Sequence, residues 1–242
     1  MITGGRKDLI YVSHKKERPI NEVNRAYTFL RDQTINFGFP PGERINEVKL
    51  ASGLKMSRAP IREALNRLSV TGLVRFEPGK GFFCRRLSVN EVSELFEVRS
   101  DLELSAIEKI CINAANKDIH DLYKKWLAIE KNESTLSVDS LVDIDESFHM
   151  GLLRLANNNE RINFMKNINE RIRFVRQINL ETNSRRKKFI NEHTQIMQAI
   201  VNRDSKQAIS LMNYHLGANS QELKSNIREG LSRIYSRNIG LD

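Results

Sequence analysis

All five prolines of this 242-residue chain lie in its first third, and none follows Pro78. Beyond about residue 87, strand signals disappear and apolar residues recur at helical spacing. The pattern predicts helices over about 89–115, 118–133, 139–156, 160–181, 185–202 and 205–235, the last of them broken near Gly217. We therefore expect residues 88–242 to form an all-α bundle.

The first third of the chain has shorter predicted elements. Helices are predicted over 21–37, 47–52 and 57–70, with the prolines at 40 and 41 separating the first two. Two short strands, 73–76 and 82–85, flank the turn sequence 77–81. Three helices and a β-hairpin predict a winged helix-turn-helix over residues 21–87. Together with the all-α bundle that follows, this makes the predicted fold class of the chain mainly α. Residues 1–20 are predicted to be a loose basic arm.

The third of these helices carries the features of a DNA-recognition helix. Ser57 is a good N-cap, because its hydroxyl can accept a hydrogen bond from a free N–H of the first turn. Arg58 and Arg62 are four residues apart and project from one face, opposite an apolar stripe. From that face an arginine can bond guanine bidentately or bind a phosphate. The alternative is a surface ion pair, for example between Arg62 and Glu63.

Two other segments add candidate DNA contacts. Lys80 lies between Gly79 and Gly81 at the tip of the predicted hairpin, where it can approach a phosphate or enter a minor groove. Lys49 lies on the short second helix. These residues extend the predicted DNA-binding surface from the recognition helix to the wing.

Charge divides the chain at the same place. Residues 1–87 carry 17 basic and 8 acidic side chains, whereas residues 88–242 carry 22 of each, so the whole net charge of +9 lies in the first third. A basic module joined to a neutral one indicates a nucleic-acid binder with a separate second function. No signal peptide or membrane-spanning stretch is predicted. With only Cys84 and Cys111, we expect a reduced, cytoplasmic protein.

Short motifs follow one another along nearly the whole chain beyond the first twenty residues. In the first domain they are Pro41-Gly42-Glu43-Arg44-Ile45, Glu47, Leu50-Ala51, 57–65, Arg67-Leu68, Gly72-Leu73-Val74 and Gly79-Lys80-Gly81. In the second they are Arg99, Leu102-Glu103, 145–149, 157–159, His193 and His215. With these motifs the chain resembles GntR-family transcription regulators of the FadR type, which have an FCD effector domain.

The resemblance implies how such a protein works. It implies a homodimer that binds a palindromic operator in double-stranded DNA, and that releases it or rearranges when a small metabolite binds the helical domain. One departure is Val48, because many relatives carry an arginine at that place.

Three of the five histidines and one aspartate lie on predicted inward faces of the second domain. Asp145 and His149 share the apolar stripe of one helix, while His193 and His215 lie among apolar residues of two later helices. Spacing alone favours hydrogen-bonded core histidines over a metal site. The resemblance implies the metal site, because these are the ligand positions of the metal-binding FCD domains. A histidine-rich site favours zinc or nickel as the divalent transition metal.

Arg99 is the candidate effector-binding residue. Its spacing alone predicts a surface ion pair with Glu103, four residues later, whereas the resemblance implies that it points into the effector pocket and holds a carboxylate. The basic run 185–188 is interpreted as a solvated helix start, and Trp126 as a packing residue. His14 and His120 are predicted to be surface residues.

These features predict a DNA-binding repressor controlled by a small carboxylate-bearing metabolite that binds with the metal, and not an enzyme. The alternative is a metal-dependent enzyme domain with an attached DNA-binding module, because an Asp/His₃ metal with open positions could activate water. Against it, Glu146 points away from the helix face of Asp145 and offers no second acid–base group. A structural or RNA-binding protein is a third reading, but the aromatic platform that stacks single strands is missing.

Overall fold

The computed structural model describes residues 19–132, 135–217 and 221–239, and within them it contains ten helices and one two-stranded sheet. The first unit consists of α1 (Pro19–Ile35), α2 (Glu47–Leu54), α3 (Arg58–Val70), β1 (Val74–Glu77) and β2 (Gly81–Cys84). The second consists of α4 (Val89–Asn113), α5 (Asn116–Glu130), α6 (Val138–Leu155), α7 (Asn159–Asn179), α8 (Asn183–Val201), α9 (Ser205–Leu216) and α10 (Gln221–Ile239). A winged helix-turn-helix followed by a helical domain confirms the predicted fold class. The predicted basic arm lies outside the described residues, apart from its last two, which begin α1.

The winged helix-turn-helix is built around the apolar stripe of α3. Ile61, Leu65 and Leu68 recur at helical spacing and have no exposed surface. They pack in one cluster with Leu30 of α1 and Phe82 of β2. This packing turns the opposite face of α3, with its arginines, toward solvent.

The wing is a tight antiparallel hairpin. Val74 pairs with Cys84 and Glu77 pairs with Gly81. The backbone N–H of Lys80 donates to the carbonyl of Glu77 over 3.0 Å. Gly79 has a φ of +76°, as the third position of a type II turn requires after a proline. Lys80 is therefore held at the tip of the wing, as the sequence predicts.

The helical domain has a core that surrounds the middle of α6. Trp126 of α5 is 1 % exposed and contacts the rings of Phe148 and Phe189. α9 ends at Gly217, which adopts the left-handed conformation (φ +50°), so the predicted break near this glycine is confirmed. None of the described helices is long and apolar enough to cross a membrane.

The two domains contact each other through α7. Arg31 of α1 forms an ion pair with Glu170 at 2.7 Å, and the side-chain amide of Asn167 donates to the carbonyl of Thr71 over 2.6 Å. Arg85, which follows the wing, donates to the carbonyl of Arg171 over 3.0 Å. The middle of α7 is thus the part of the helical domain on which the DNA-binding unit rests.

Candidate functional site: a DNA-binding face and a buried histidine centre

Ser57 occupies the N-cap position of α3, but its side chain forms no capping hydrogen bond, which corrects the sequence-based expectation. An N-cap hydroxyl accepts from the backbone N–H of the second or third helical residue. The third residue here is Pro60, which has no N–H, so one of the two usual donors is missing. The exposed hydroxyl of Ser57 is left free to bond to another group.

Arg58 and Arg62 are both exposed on α3. Arg62 lies 3.4 Å from both carboxylate oxygens of Glu47, at the start of α2, and its guanidinium lies 5.8 Å from the centre of the Phe82 ring. The suggested ion pair with Glu63 is wrong, because Glu63 binds Arg67 instead, at 3.0 Å. Glu47 therefore orients Arg62 across the junction of α2, α3 and the wing, a role that the sequence analysis missed.

The other predicted DNA contacts surround this junction. Lys49 and Val48 are exposed on α2, and the side chain of Asn46 caps both of their backbone N–H groups at 3.0 Å. Lys80 is exposed at the tip of the wing, where its amino group lies 3.3 Å from Glu77. Exposed cations thus lie on α2, α3 and the wing, and Arg62 contacts both other elements through Glu47 and Phe82.

In the helical domain, four predicted ligands come together from three helices. The side-chain ligand atoms of Asp145, His149, His193 and His215 all lie within 4.8 Å of one another. His149 Nε2 lies 3.3 Å from Nε2 of His193 and 3.3 Å from Nε2 of His215. Asp145 Oδ1 lies 3.3 Å from Nε2 of both His149 and His193.

These separations fit a metal centre. Ligands at about 2.0–2.1 Å around a tetrahedral zinc ion lie about 3.3 Å apart. Four of the six ligand pairs here have that spacing, and no pair is more than 4.8 Å apart. Three imidazole nitrogens and one carboxylate oxygen are also a donor set that zinc and nickel accept. The residues present therefore fit a divalent transition metal.

Each histidine is oriented through its other ring nitrogen. Nδ1 of His149 bonds to the carboxylate of Glu103, Nδ1 of His193 to the carbonyl of Phe189 at 2.8 Å, and Nδ1 of His215 to Glu192 at 2.8 Å. If each Nδ1 donates its hydrogen, each Nε2 keeps a lone pair that points to the common centre. Glu103 and Glu192 are thus orienting residues that the sequence analysis did not assign.

The surroundings favour the protonation states that bind metals. Burial lowers the pKa of His193 to about 3, and burial also lowers the pKa of His215. Burial alone would raise the pKa of Asp145, but the charges of His149 and Arg176 hold it well below its usual range. A neutral His193 and a neutral His215 beside an ionised Asp145 are the forms that coordinate a cation.

A cavity of about 310 Å³ opens beside this centre and is lined by Arg99, Asp145, Arg176 and His215, among others. Arg99 is 3 % exposed, so its predicted surface position is wrong, although its ion pair with Glu103 is present at 2.6 Å. The Nη2 group of Arg99 is buried and has no hydrogen-bond partner. Arg176, which the sequence analysis did not single out, binds Asp145 at 2.6 Å. A buried donor without a partner in the protein can bond to a ligand atom or to a water molecule.

The basic run 185–188 is only partly the solvated helix start that the sequence suggested. Lys187 and Lys188 are exposed and match that interpretation, although Lys188 also borders the cavity. Arg185 lines the cavity, and Arg186 donates to the carbonyl of Leu180 over 2.8 Å, so these two do not match it. Trp126 is a packing residue, as predicted, and its ring stacks on His193 at 4.8 Å. His120 is exposed, as predicted, and His14 lies outside the described residues.

Comparisons with known proteins find a family for each of the two parts of the chain. Residues 23–84 match the model of the gntR family of bacterial regulatory proteins, and residues 94–218 match the FCD domain. The fold and the motifs define a transcription regulator with a DNA-binding domain and an effector domain. The chain belongs to the GntR family and carries an FCD domain.

Three relatives illustrate this membership. The chain is 35 % identical to the Nta operon transcriptional regulator of Aminobacter aminovorans, over 84 % of this chain and 95 % of that protein. It is 22 % identical to the transcriptional repressor RspR of Escherichia coli K12, over 88 % of this chain and 90 % of that protein. A crystal structure of a GntR-type regulator from Rhodococcus sp. RHA1 has the same fold, with a TM-score of 0.65 and 21 % identity over 86 % of this chain and 98 % of that one. These relatives are regulators and not enzymes, so the metalloenzyme alternative is set aside.

Proposed function

We propose that this protein is a transcriptional repressor that binds a palindromic operator as a homodimer and responds to a small carboxylate that binds beside a zinc or nickel ion. The observation that carries this proposal is the convergence of four ligand atoms next to a cavity in which Arg99 has a buried donor without a partner. Because a transcription regulator acts on DNA, we propose that this protein works in the cytoplasm. The family relative RspR is named as a repressor.

DNA contact is assigned to one continuous face. Arg58, Arg62 and Ser57 reach from the start of α3 into the major groove, because the N-terminal end of a recognition helix contacts the base edges. Lys49 flanks them on α2. Gly79, Lys80 and Gly81 bring the wing to a phosphate or into the adjacent minor groove. One short recognition helix reads only a few base pairs, which favours a dimer on two half-sites.

The metal is assigned to Asp145, His149, His193 and His215. When bound, it supplies a positive charge and open coordination positions for a ligand oxygen. Arg99 lines the same cavity, its Nη2 has no partner in the protein, and we assign this group as the donor to the ligand carboxylate. The aspartate and the three histidines then hold the metal, and Arg99 holds the metabolite.

α7 is the proposed route from the ligand to the DNA-binding domain. Near its end, Arg176 binds Asp145 at the cavity. About one and a half turns earlier, Glu170 binds Arg31 of the DNA-binding unit, and the backbone carbonyl of Arg171 accepts from Arg85. A ligand that changes how Arg176 is held therefore acts on the same helix that supports the DNA-binding unit, and any shift of that helix changes the spacing of the two recognition helices in the dimer.

The DNA assignment is tested with operator fragments that the wild type selects from genomic DNA. The double variant Arg58→Ala, Arg62→Ala is expected to lose at least about 30-fold in affinity in a fluorescence anisotropy assay, because each bidentate arginine contributes about 1–3 kcal/mol. The matched control removes two exposed lysines of α5, Lys117→Ala and Lys124→Ala, and is expected to bind like the wild type. Equal loss in both double variants would assign the effect to net charge and contradict the proposed recognition helix.

A further inference from the structure

The cavity beside the histidine centre has a second cationic end. Arg185 and Lys188 are three residues apart near the start of α8 and both line the cavity. The first turn of α8 contains no acidic residue. The start of a helix already carries partial positive charge, and these two cations add to it. An anion bound nearby is therefore favoured.

Arg185 differs from the other cations of this cavity in its partners. Arg99 binds Glu103, and Arg176 binds Asp145, each at 2.6 Å. Lys188 binds Glu222 at 3.2 Å. Each of these cations therefore has a carboxylate of the protein beside it.

The partners of Arg185 are neutral. Its guanidinium donates to the carbonyl of Ile178 over 3.0 Å and to the side-chain oxygen of Asn226 over 3.2 Å. No ion pair joins it to a carboxylate anywhere in the described parts of the chain. These two bonds hold the guanidinium in place and leave several of its five donors free. A half-buried guanidinium that is held by neutral groups is a site prepared for an anion from outside the protein.

We propose that the effector is a small dianion, with one carboxylate at Arg99 beside the histidine centre and a second acidic group, a carboxylate or a phosphate, at Arg185. This inference rests on the proposed function and deepens it by naming the ligand class. The volume of about 310 Å³ is at the small end for ligand pockets, so the two groups stand on a short carbon skeleton. Phe96, Leu180 and Leu223 line the same cavity and supply apolar surface for that skeleton.

The test uses the zinc-loaded wild-type protein and chain-matched pairs of acids in titration calorimetry. The pairs are succinate with butanoate, glutarate with pentanoate, and adipate with hexanoate, and 3-phosphoglycerate represents the phosphorylated acids. At least one dianion is expected to bind about 10- to 100-fold more tightly than its matched monoanion, as one further charge-assisted hydrogen-bonded contact predicts. If 3-phosphoglycerate binds more tightly than every dicarboxylate, the result would support the inference and identify the second group as a phosphate.

The variant Arg185→Gln assigns the preference to this residue. It is expected to bring the dianion to within about threefold of its matched monoanion and to leave the monoanion unchanged. Lys187→Gln removes an exposed positive charge from the same helix and is the matched control, for which the wild-type preference is expected. If Arg185→Gln does not fold, as judged by its helical circular dichroism, Arg185→Lys replaces it and is expected to keep only part of the preference.

The outcomes separate this inference from the proposed function. Equal affinities of monoanions and dianions in the wild type would overturn the second acidic group and leave the carboxylate at Arg99 standing. A dianion preference that survives in Arg185→Gln would overturn the assignment to Arg185. Failure of every acid to bind, with no difference between the wild type and Arg99→Gln, would overturn the carboxylate effector itself and this inference with it.

Discussion

The two domains use arginine in opposite ways. On the DNA-binding face, the side chain of Arg62 is 51 % exposed and is oriented by Glu47 at 3.4 Å. In the helical domain, the side chains of Arg99 and Arg176 are each only 4 % exposed and bind buried carboxylates at 2.6 Å. The first arrangement leaves donors free for a large anionic partner in solvent. The second leaves a donor free only for a ligand small enough to enter the cavity.

The difference has a physical origin. An exposed guanidinium keeps most of its hydration, so no partner within the protein is required, and its contribution to folding is small. A buried guanidinium without a counter-charge costs several kcal/mol, so the helical domain must supply Glu103 and Asp145. Substitutions of these buried charged groups in the helical domain should therefore change stability and ligand affinity. Substitutions of the exposed charges on the DNA-binding face should change recognition at little cost in stability.

The largest expected effect is on the core that supports the histidine centre. Trp126→Ala removes a fully buried ring that contacts Phe148, Phe189 and His193, and it should lower the free energy of unfolding of the helical domain by about 3–5 kcal/mol. Urea unfolding followed by circular dichroism measures the change. The control Phe164→Ala removes an exposed ring and should change stability by less than about 0.5 kcal/mol. Similar values for the two variants would contradict the packing role of Trp126.

An intermediate effect is expected at the carboxylate behind His149. Glu103→Gln removes the negative charge that orients this ring. Loss of the group that orients a metal-binding histidine typically lowers metal affinity about 10- to 100-fold. Competition with a chromogenic zinc chelator measures the affinity. Glu108→Gln, an exposed position on the same helix, should leave zinc affinity unchanged. Unchanged affinity in Glu103→Gln would mean that His149 needs no such partner to bind the ion.

The smallest expected effect is on the exposed face. Glu47→Gln removes the partner of Arg62, and exposed ion pairs contribute about 0.2–1 kcal/mol. Because the lost negative charge also strengthens binding to any DNA, the informative quantity is the ratio of operator affinity to scrambled-DNA affinity. This ratio should fall by up to about fivefold in Glu47→Gln and stay constant in Glu63→Gln, whose carboxylate binds Arg67. If the ratio of operator affinity to scrambled-DNA affinity were the same in both variants, Glu47 would not orient Arg62 for recognition.

Much of the fold follows from local sequence signals. The absence of proline after Pro78 and the helical spacing predict the helical domain, and the glycines around Lys80 predict the turn of the wing. The resemblance to regulators added the four residues of the histidine centre, which the structure brings within 4.8 Å of one another. These features depend on short motifs or on periodicity within single helices, which a sequence displays directly.

The features that were missed depend on how helices cross. Glu103 and Glu192 reach their histidines from other helices, and Arg62 finds Glu47 of α2 rather than Glu63 on its own helix. One signal was available for Glu103, because it lies four residues before Ile107 on the buried stripe of α4, where a carboxylate requires a partner. The residue type of Ser57 predicts a capping hydrogen bond, but Pro60 lacks the N–H that is one of the two usual donors to such a cap.

Native mass spectrometry of the dialysed protein, resupplied with zinc or nickel and compared with His193→Ala, tests the central claim most directly. It reports the number of subunits, the bound metal and any small molecule that purifies with the protein. We expect a dimer with one metal ion per chain in the wild type and none at this site in the variant, because His193 Nε2 is one of four converging ligand atoms. A wild type that stays free of metal in the presence of both ions would contradict it, and the three histidines would then be hydrogen-bonded core residues.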